Sequence, residues 1–269
     1  MHKSSRSKSL VIAVLLFTNA IPGLTLADPM QGPADHAGDL LRQGKYEEAI
    51  RQGLAENSAD GLTSAAIASV SEMTLAPTPC LACIDRAEQL SRKALVADPK
   101  GANPTRCLTA ALGYRGRLVG LLAARSAKLG ETSKLALDEA LAAHPHDPGL
   151  LSAMAAWHFE VVRVGGSVLA NWTYGATMEK GLEDFSEALK LAPNDVIINY
   201  QFGLELAAYD ADQYRDKIVR AWKHATTAPS QSAYDDAQKK RADELLTLLK
   251  GGDRQAFDEK VNAYMGIPK

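Results

Sequence analysis

The side chains of this chain that could do chemistry are two turn histidines, a His–Glu–Arg run and a close cysteine pair. His144 and His146 flank Pro145 and precede Asp147, all metal-ligating types apart from the proline. The proline holds the two imidazoles apart, so they read as solvated turn residues rather than ligands. His158 and Glu160 stand two residues apart in a helical stretch, which turns them to different faces and excludes a single acid–base pair. Glu160 and Arg163 are three apart and can form an ion pair of a structural kind. Cys80 and Cys83 are a disulfide candidate if the compartment is oxidising. Ile84 follows the second cysteine, where haem attachment requires histidine, and Pro77 and Pro79 place the pair in a loop rather than a strand-to-helix redox motif. Cys107 is the odd cysteine, and no Cys/His cluster has zinc spacing. Gly165-Gly166 lacks the Lys-Ser/Thr of a phosphate loop, and no serine sits in a nucleophile elbow. The expectation is a protein without enzymatic activity, metal or cofactor.

The amino-terminal residues read as an export signal. Lys3, Arg6 and Lys8 precede an unbroken apolar run from Leu10 to Phe17, and Pro22 and Gly23 follow it. Thr25-Leu26-Ala27 offers small residues at the minus-three and minus-one positions, so cleavage is expected after Ala27. The apolar run is too short to span a bilayer, which needs about 20 residues. The divisions expected are a signal peptide at 1–27, a short linker at 28–34 and a helical repeat domain at 35–269. Removing the three signal cations leaves 27 Lys/Arg against 32 Asp/Glu, a net charge of −5. That balance argues against nucleic acid, whose binders carry clustered basic surface. No second long apolar stretch exists, so no integral membrane segment is expected after cleavage, and the destination is the periplasm or the exterior.

These side chains must be positioned by helices, because helix-ending segments recur. Ala94-Leu95-Val96-Ala97-Asp98-Pro99, Ala140-Leu141-Ala142-Ala143-His144-Pro145 and Ala188-Leu189-Lys190-Leu191-Ala192-Pro193 share one pattern, and Ala225-Thr226-Thr227-Ala228-Pro229 repeats it loosely. Each reads as the last turn of an amphipathic helix stopped by proline, which lacks an amide proton and clashes with the preceding turn. The prolines lie 46, 48 and 36 residues apart, and periods of this size mark stacked units that cannot bury their apolar faces alone. Helices are predicted over 59–73, 81–97, 105–129, 132–143, 149–164, 178–191, 196–209, 213–226, 232–250 and 254–265, after a first hairpin at 35–57. No strand-like alternation of useful length appears.

The chain resembles the tetratricopeptide repeat family. Gly181, Phe185, Ala188 and Pro193 fit that family's second helix, with Gly181 where the family favours alanine. Phe202-Gly203 fits the large–small pair of a first helix, and Gly44-Lys45-Tyr46-Glu47-Glu48-Ala49 resembles the turn into a second. The resemblance implies an all-α fold, a right-handed superhelical stack of about five to six antiparallel helix pairs. The 46- and 48-residue spacings depart from the family's unit and imply long first helices or inserted loops. Trp157-His158-Phe159-Glu160, between the His-Pro-His-Asp-Pro turn and a glycine-rich insertion, is also similar to exported bacterial repeat proteins. The same run resembles the repeat domain of the regulator-of-microtubule-dynamics family and the periplasmic repeat proteins associated with TRAP transporters. These resemblances imply binding of a protein or an apolar small ligand, not a reaction.

Stacked helix pairs curve, and their first helices line the concave face. Counting forward from the repeat-ending prolines places Arg106 and Tyr114, then Ser152, Ala156 and Phe159, then Tyr200, Leu204 and Ala207 towards that face. This lining is small, apolar and aromatic, and suits an extended peptide or an apolar small molecule. The insertion from Val164 to Gly175 carries Trp172 and Tyr174 and reads either as a loop packed on a helix or as a flap beside the groove. A protein or peptide partner held by the groove is the leading expectation, and an accessory role in envelope transport with an apolar ligand is the alternative.

Overall fold

A computed structural model describes residues 36–78 and 80–268. The expected signal peptide and linker lie outside the described residues. Among the described residues there are fourteen helices and no strand. They are α1 (His36–Arg42), α2 (Tyr46–Glu56), α3 (Ala59–Leu75), α4 (Leu81–Ala97), α5 (Ala102–Val119), α6 (Leu121–Ser126) and α7 (Leu129–Ala143). There follow α8 (Pro148–Gly165), α9 (Ser167–Tyr174), α10 (Met178–Leu191), α11 (Val196–Asp210), α12 (Arg215–Thr227), α13 (Ala233–Gly251) and α14 (Arg254–Met265).

Six hairpins make the stack: α1/α2, α3/α4, α5/α7, α8/α10, α11/α12 and α13/α14. The fold is an all-α helical repeat. The long proline spacings have a local cause, since α6 is inserted in the third hairpin and α9 in the fourth. Residues 105–129 are therefore not one helix. Gly120, at φ +81°, and Lys128, at φ +52°, break the backbone on either side of α6, and the left-handed region that Gly120 uses is open to glycine without penalty. The insertion expected as a loop or flap is the helix α9, set off by Gly166 at φ +75° and Gly175 at φ +64°.

The recurring prolines work together with the acid that follows. Pro145 ends one hairpin and Asp147 caps α8 by accepting from the Leu150 amide at 2.7 Å. Pro193 and Asp195 do the same at α11, where Asp195 accepts from the Ile198 amide at 2.9 Å. A side-chain oxygen at this position satisfies an amide that the helix cannot. Within the turn before α8, His144 and His146 are exposed. Cys80 and Cys83 are joined by a disulfide at the start of α4. Cys107 is buried in α5, and burial pushes its thiol up to about 12.

The inner layer consists of the first helices of the second to sixth hairpins, α3, α5, α8, α11 and α13, each packed on the next. Close packing depends on two glycines. A Cβ on Gly181 would overlap the Phe159 ring, and one on Gly203 would overlap the Trp222 indole. Gly181 thus stands where the repeat pattern favours alanine because Phe159 fills the space. From there an aromatic series runs through Phe185 to Phe202, with centroids 5.6 and 4.9 Å apart.

The stack does not leave an open trough. The last hairpin turns back against the first ones across the inner face. Tyr234 on α13 shares a 3.0 Å hydrogen bond with Thr74 on α3. The Tyr114 hydroxyl donates to the Tyr264 carbonyl at 3.1 Å, and Arg117 donates to the Met265 carbonyl at 2.8 Å. Gly266, at φ +71°, lies so close to the Tyr114 ring that a Cβ there would overlap it.

His158 faces away from this interior, towards α10. Its Nδ1 accepts from the Thr177 amide at 3.3 Å, and its Nε2 lies 3.9 Å from Asp184. Burial, helped by Lys180 and Lys134, lowers its pKa from 6.5 to about 4. The unfolded chain therefore takes up a proton before the folded one does, and this residue's contribution to stability falls as pH drops from about 6.5 to about 4. A His158→Asn variant is expected to lose less stability than the parent between pH 7 and pH 5 in paired urea titrations. An identical acid dependence in the two proteins would contradict this assignment.

Candidate functional site

Contact of the last hairpin with α3 and α5 narrows the inner face to a half-open cavity of about 330 Å³ between α3, α5, α8, α11, α13 and α14. It separates the amino-terminal apolar cluster, which includes Val70, from the larger carboxy-terminal one, which includes Tyr200 and Leu204. Leu112 and Leu129 add a third apolar side. Of the residues placed on the inner face from sequence, Arg106, Tyr114, Ser152, Ala156, Tyr200 and Leu204 all line this cavity. Phe159 and Ala207 do not. Phe159 is buried against Gly181 and Phe185, and Ala207 is buried in the core about 10 Å further along α11 than Tyr200, at 1.5 Å per residue.

The insertions flank the mouth. Leu121 and Ala124 from α6, and Leu169 and Thr173 from α9, contribute to the lining. Tyr174 also lines it, and its hydroxyl lies 3.3 Å from Glu131. Trp172 is not packed on a neighbouring helix and does not line the cavity: it is 86 % exposed, as Val168 is at 83 % and Leu122 at 84 %. Trp157, by contrast, is buried and donates to the Gly130 carbonyl at 2.9 Å, fixing the start of α7 to α8.

Of the polar end of the cavity, only the Glu160–Arg163 pair was read from sequence, and it forms at 2.8 Å. Arg117 lies 3.2 Å from Glu160 and 3.6 Å from Glu205. Arg163 donates to both oxygens of Glu160 at 2.8 Å, and Gln201 donates to Glu205 at 2.8 Å. Burial pushes the Glu160 carboxyl up, but Arg117 and Arg163 outweigh it and its pKa is lowered. Glu205 is different. It is 1 % exposed, its burial outweighs the pull of Arg117, and its pKa is raised to about 7. Arg117 is held firmly protonated by the two acids, against the opposing effect of its own burial. Two carboxyls in one cluster are therefore shifted in opposite directions, because Glu160 lies against two arginines while Glu205 is more deeply buried and is also repelled by Glu160.

The profile of the family described as Regulator of microtubule dynamics protein 1-3 matches residues 56–250, which is 195 of the 269 residues. The chain belongs to this family. No curated protein matches the sequence. The regulator-of-microtubule-dynamics match runs from the end of α2 to the end of α13. It holds the wall from α3 to α13, including Arg117, Glu160 and Glu205. Tyr264, Met265 and Gly266, which close the inner face from α14, lie beyond the matched residues.

Proposed function

We propose that this chain is a non-catalytic binding module that encloses an apolar small molecule, and that it acts outside the cytoplasm. The observation that carries the reading is the closure of the inner face by α13 and α14 over a largely apolar cavity. An extended peptide needs a groove open along its length, whereas a cavity bridged at one side and lined by few polar groups suits a small ligand. The leader-like residues before α1 support export. A protein partner is a second reading, supported by the exposed apolar side chains of α6 and α9, since such patches mark contact surfaces. In either case the family contributes the helical scaffold; the cavity would choose a small ligand, and the α6 and α9 surface a protein partner.

The test is saturable uptake of the fluorescent probe N-phenylnaphthylamine by the full chain, with the Ala156→Trp variant as control. Ala156 lines the cavity and is only partly buried, so an indole there fills space rather than displacing core. The expected result is one site per chain in the parent and at least about a tenfold weaker affinity in the variant, with the helical circular dichroism unchanged. Absence of saturable uptake, or equal affinity in the folded variant, would sink the small-ligand reading.

A further inference from the structure

The cavity wall is not electrically balanced. Arg106, Arg117, Arg125 and Arg241 line it against Glu131 and Glu160, four cations to two anions. Arg117 is answered by Glu160 and Glu205. Arg241 has no carboxylate within ion-pair distance among the described residues, and its guanidinium lies over the Tyr264 ring at 4.4 Å. Glu244, whose charge it feels, is already held by Lys260 at 2.7 Å and by the Tyr264 hydroxyl.

A second observation falls at the same place. Tyr200 lines the cavity, is 3 % exposed, and its hydroxyl has no hydrogen-bond partner among the described residues. Burial raises its pKa well above the ordinary phenol value although Arg241 pulls the other way, so it remains a donor. Gln238, one turn before Arg241 on α13, also lines the cavity; its unpartnered buried atom is the carbonyl oxygen, an acceptor, so it takes no part in matching an anion. Buried polar groups are normally paired, and a cluster that is not paired within the protein is one that a ligand can complete.

A guanidinium beside a phenol donor is matched by an acidic group, through charge-assisted hydrogen bonds. The rest of the wall, with Val70, Leu112, Ile198 and Leu204, is matched by hydrocarbon. A volume of about 330 Å³ is at the low end of the roughly 300–1,000 Å³ typical of small-ligand sites, which suits one chain. We propose that the cavity takes a single-chain acidic amphiphile, a long-chain carboxylate, with its head on Arg241 and Tyr200 and its tail along the apolar wall. This deepens the small-ligand reading above and rests on it.

The experiment titrates the full chain by calorimetry with palmitate, with hexadecanol as the neutral match and with acetate as the free anion. Palmitate is expected to bind about tenfold tighter than the alcohol, and acetate not measurably. Arg241→Gln is expected to remove the preference by weakening palmitate alone, while Arg241→Lys keeps part of it. Tyr200→Phe, which keeps the ring, is expected to weaken palmitate several-fold and leave the alcohol unchanged. Equal binding of acid and alcohol, a preference that survives Arg241→Gln, or acetate competing as well as palmitate would each overturn the head-group assignment while leaving the apolar cavity standing. Failure of both palmitate and hexadecanol to bind would instead overturn the small-ligand reading beneath it.

Discussion

Trp222→Ala is expected to cost about 3–5 kcal/mol of stability, read as a lower urea midpoint at unchanged slope. Trp222 is fully buried on α12 and sits in the space left by Gly203 on α11. Its indole donates to the Tyr200 carbonyl at 3.1 Å, and its ring lies 6.2 Å from Phe257 on α14. Truncation therefore opens a cavity shared by three helices and removes a hydrogen bond behind the cavity-lining Tyr200. The reverse change checks the same contact, because Gly203→Ala would push a methyl into the indole at a cost of about 1–3 kcal/mol. Trp222→Phe keeps most of the packing and should fall between the parent and the alanine variant. A loss under about 1 kcal/mol for Trp222→Ala would mean that α12 repacks freely on α11, contrary to the close fit described.

The repeat was legible because it is written in local chemistry. Pro99, Pro145 and Pro193 stop helices wherever they occur, and Asp147 and Asp195 start the next ones. Arg106, Ser152 and Tyr200 each lie seven residues past such a proline, so they reach equivalent places in successive inner helices and meet in one cavity. Phe159 was misplaced because each residue turns a helix by about 100°. Its neighbour Glu160 holds the inward position, and a search for apolar lining passes over it. The ion cluster had a local signal only in its Glu160–Arg163 pair, three residues apart on one helix. Arg117, Glu160 and Glu205 lie 18, 15 and 12 residues past their prolines, one turn less in each repeat, so they meet on a diagonal that only the stacked helices define. The closing of the trough was equally hidden, because Tyr114–Tyr264 and Thr74–Tyr234 join residues some 150 apart or more. Glycine breaks at Gly120 and Gly166 were present in the sequence, but glycine alone does not tell a loop from a short helix.

Arg117→Met tests the ion cluster and the closure together, and its expected cost at neutral pH is about 3–5 kcal/mol. The arginine has three partners at once: it donates to Glu160 and to the Met265 carbonyl on α14, and it ion-pairs with Glu205 at 3.6 Å. Glu160 keeps Arg163 when Arg117 is gone. Glu205 keeps the neutral Gln201 amide and only the pull of Arg163 from beyond ion-pair distance, so its buried carboxyl is driven towards the protonated form. A folded pKa raised above the ordinary 4.5 means that the folded state holds a proton the unfolded state releases. Stability from this group is therefore full at low pH and is lost as pH rises through the folded value. Removing Arg117 raises that value further and widens the window, so the deficit of the variant should be smaller at pH 5 than at pH 8. Adding Glu205→Gln should recover part of the loss at pH 8 and little at pH 5, and a double-mutant cycle gives the coupling directly. If the deficit were the same at both pH values and unaffected by Glu205→Gln, Arg117 would be acting only through packing and the α14 carbonyl. The two acids would then be bystanders to closure rather than the charges that hold Arg117 in place.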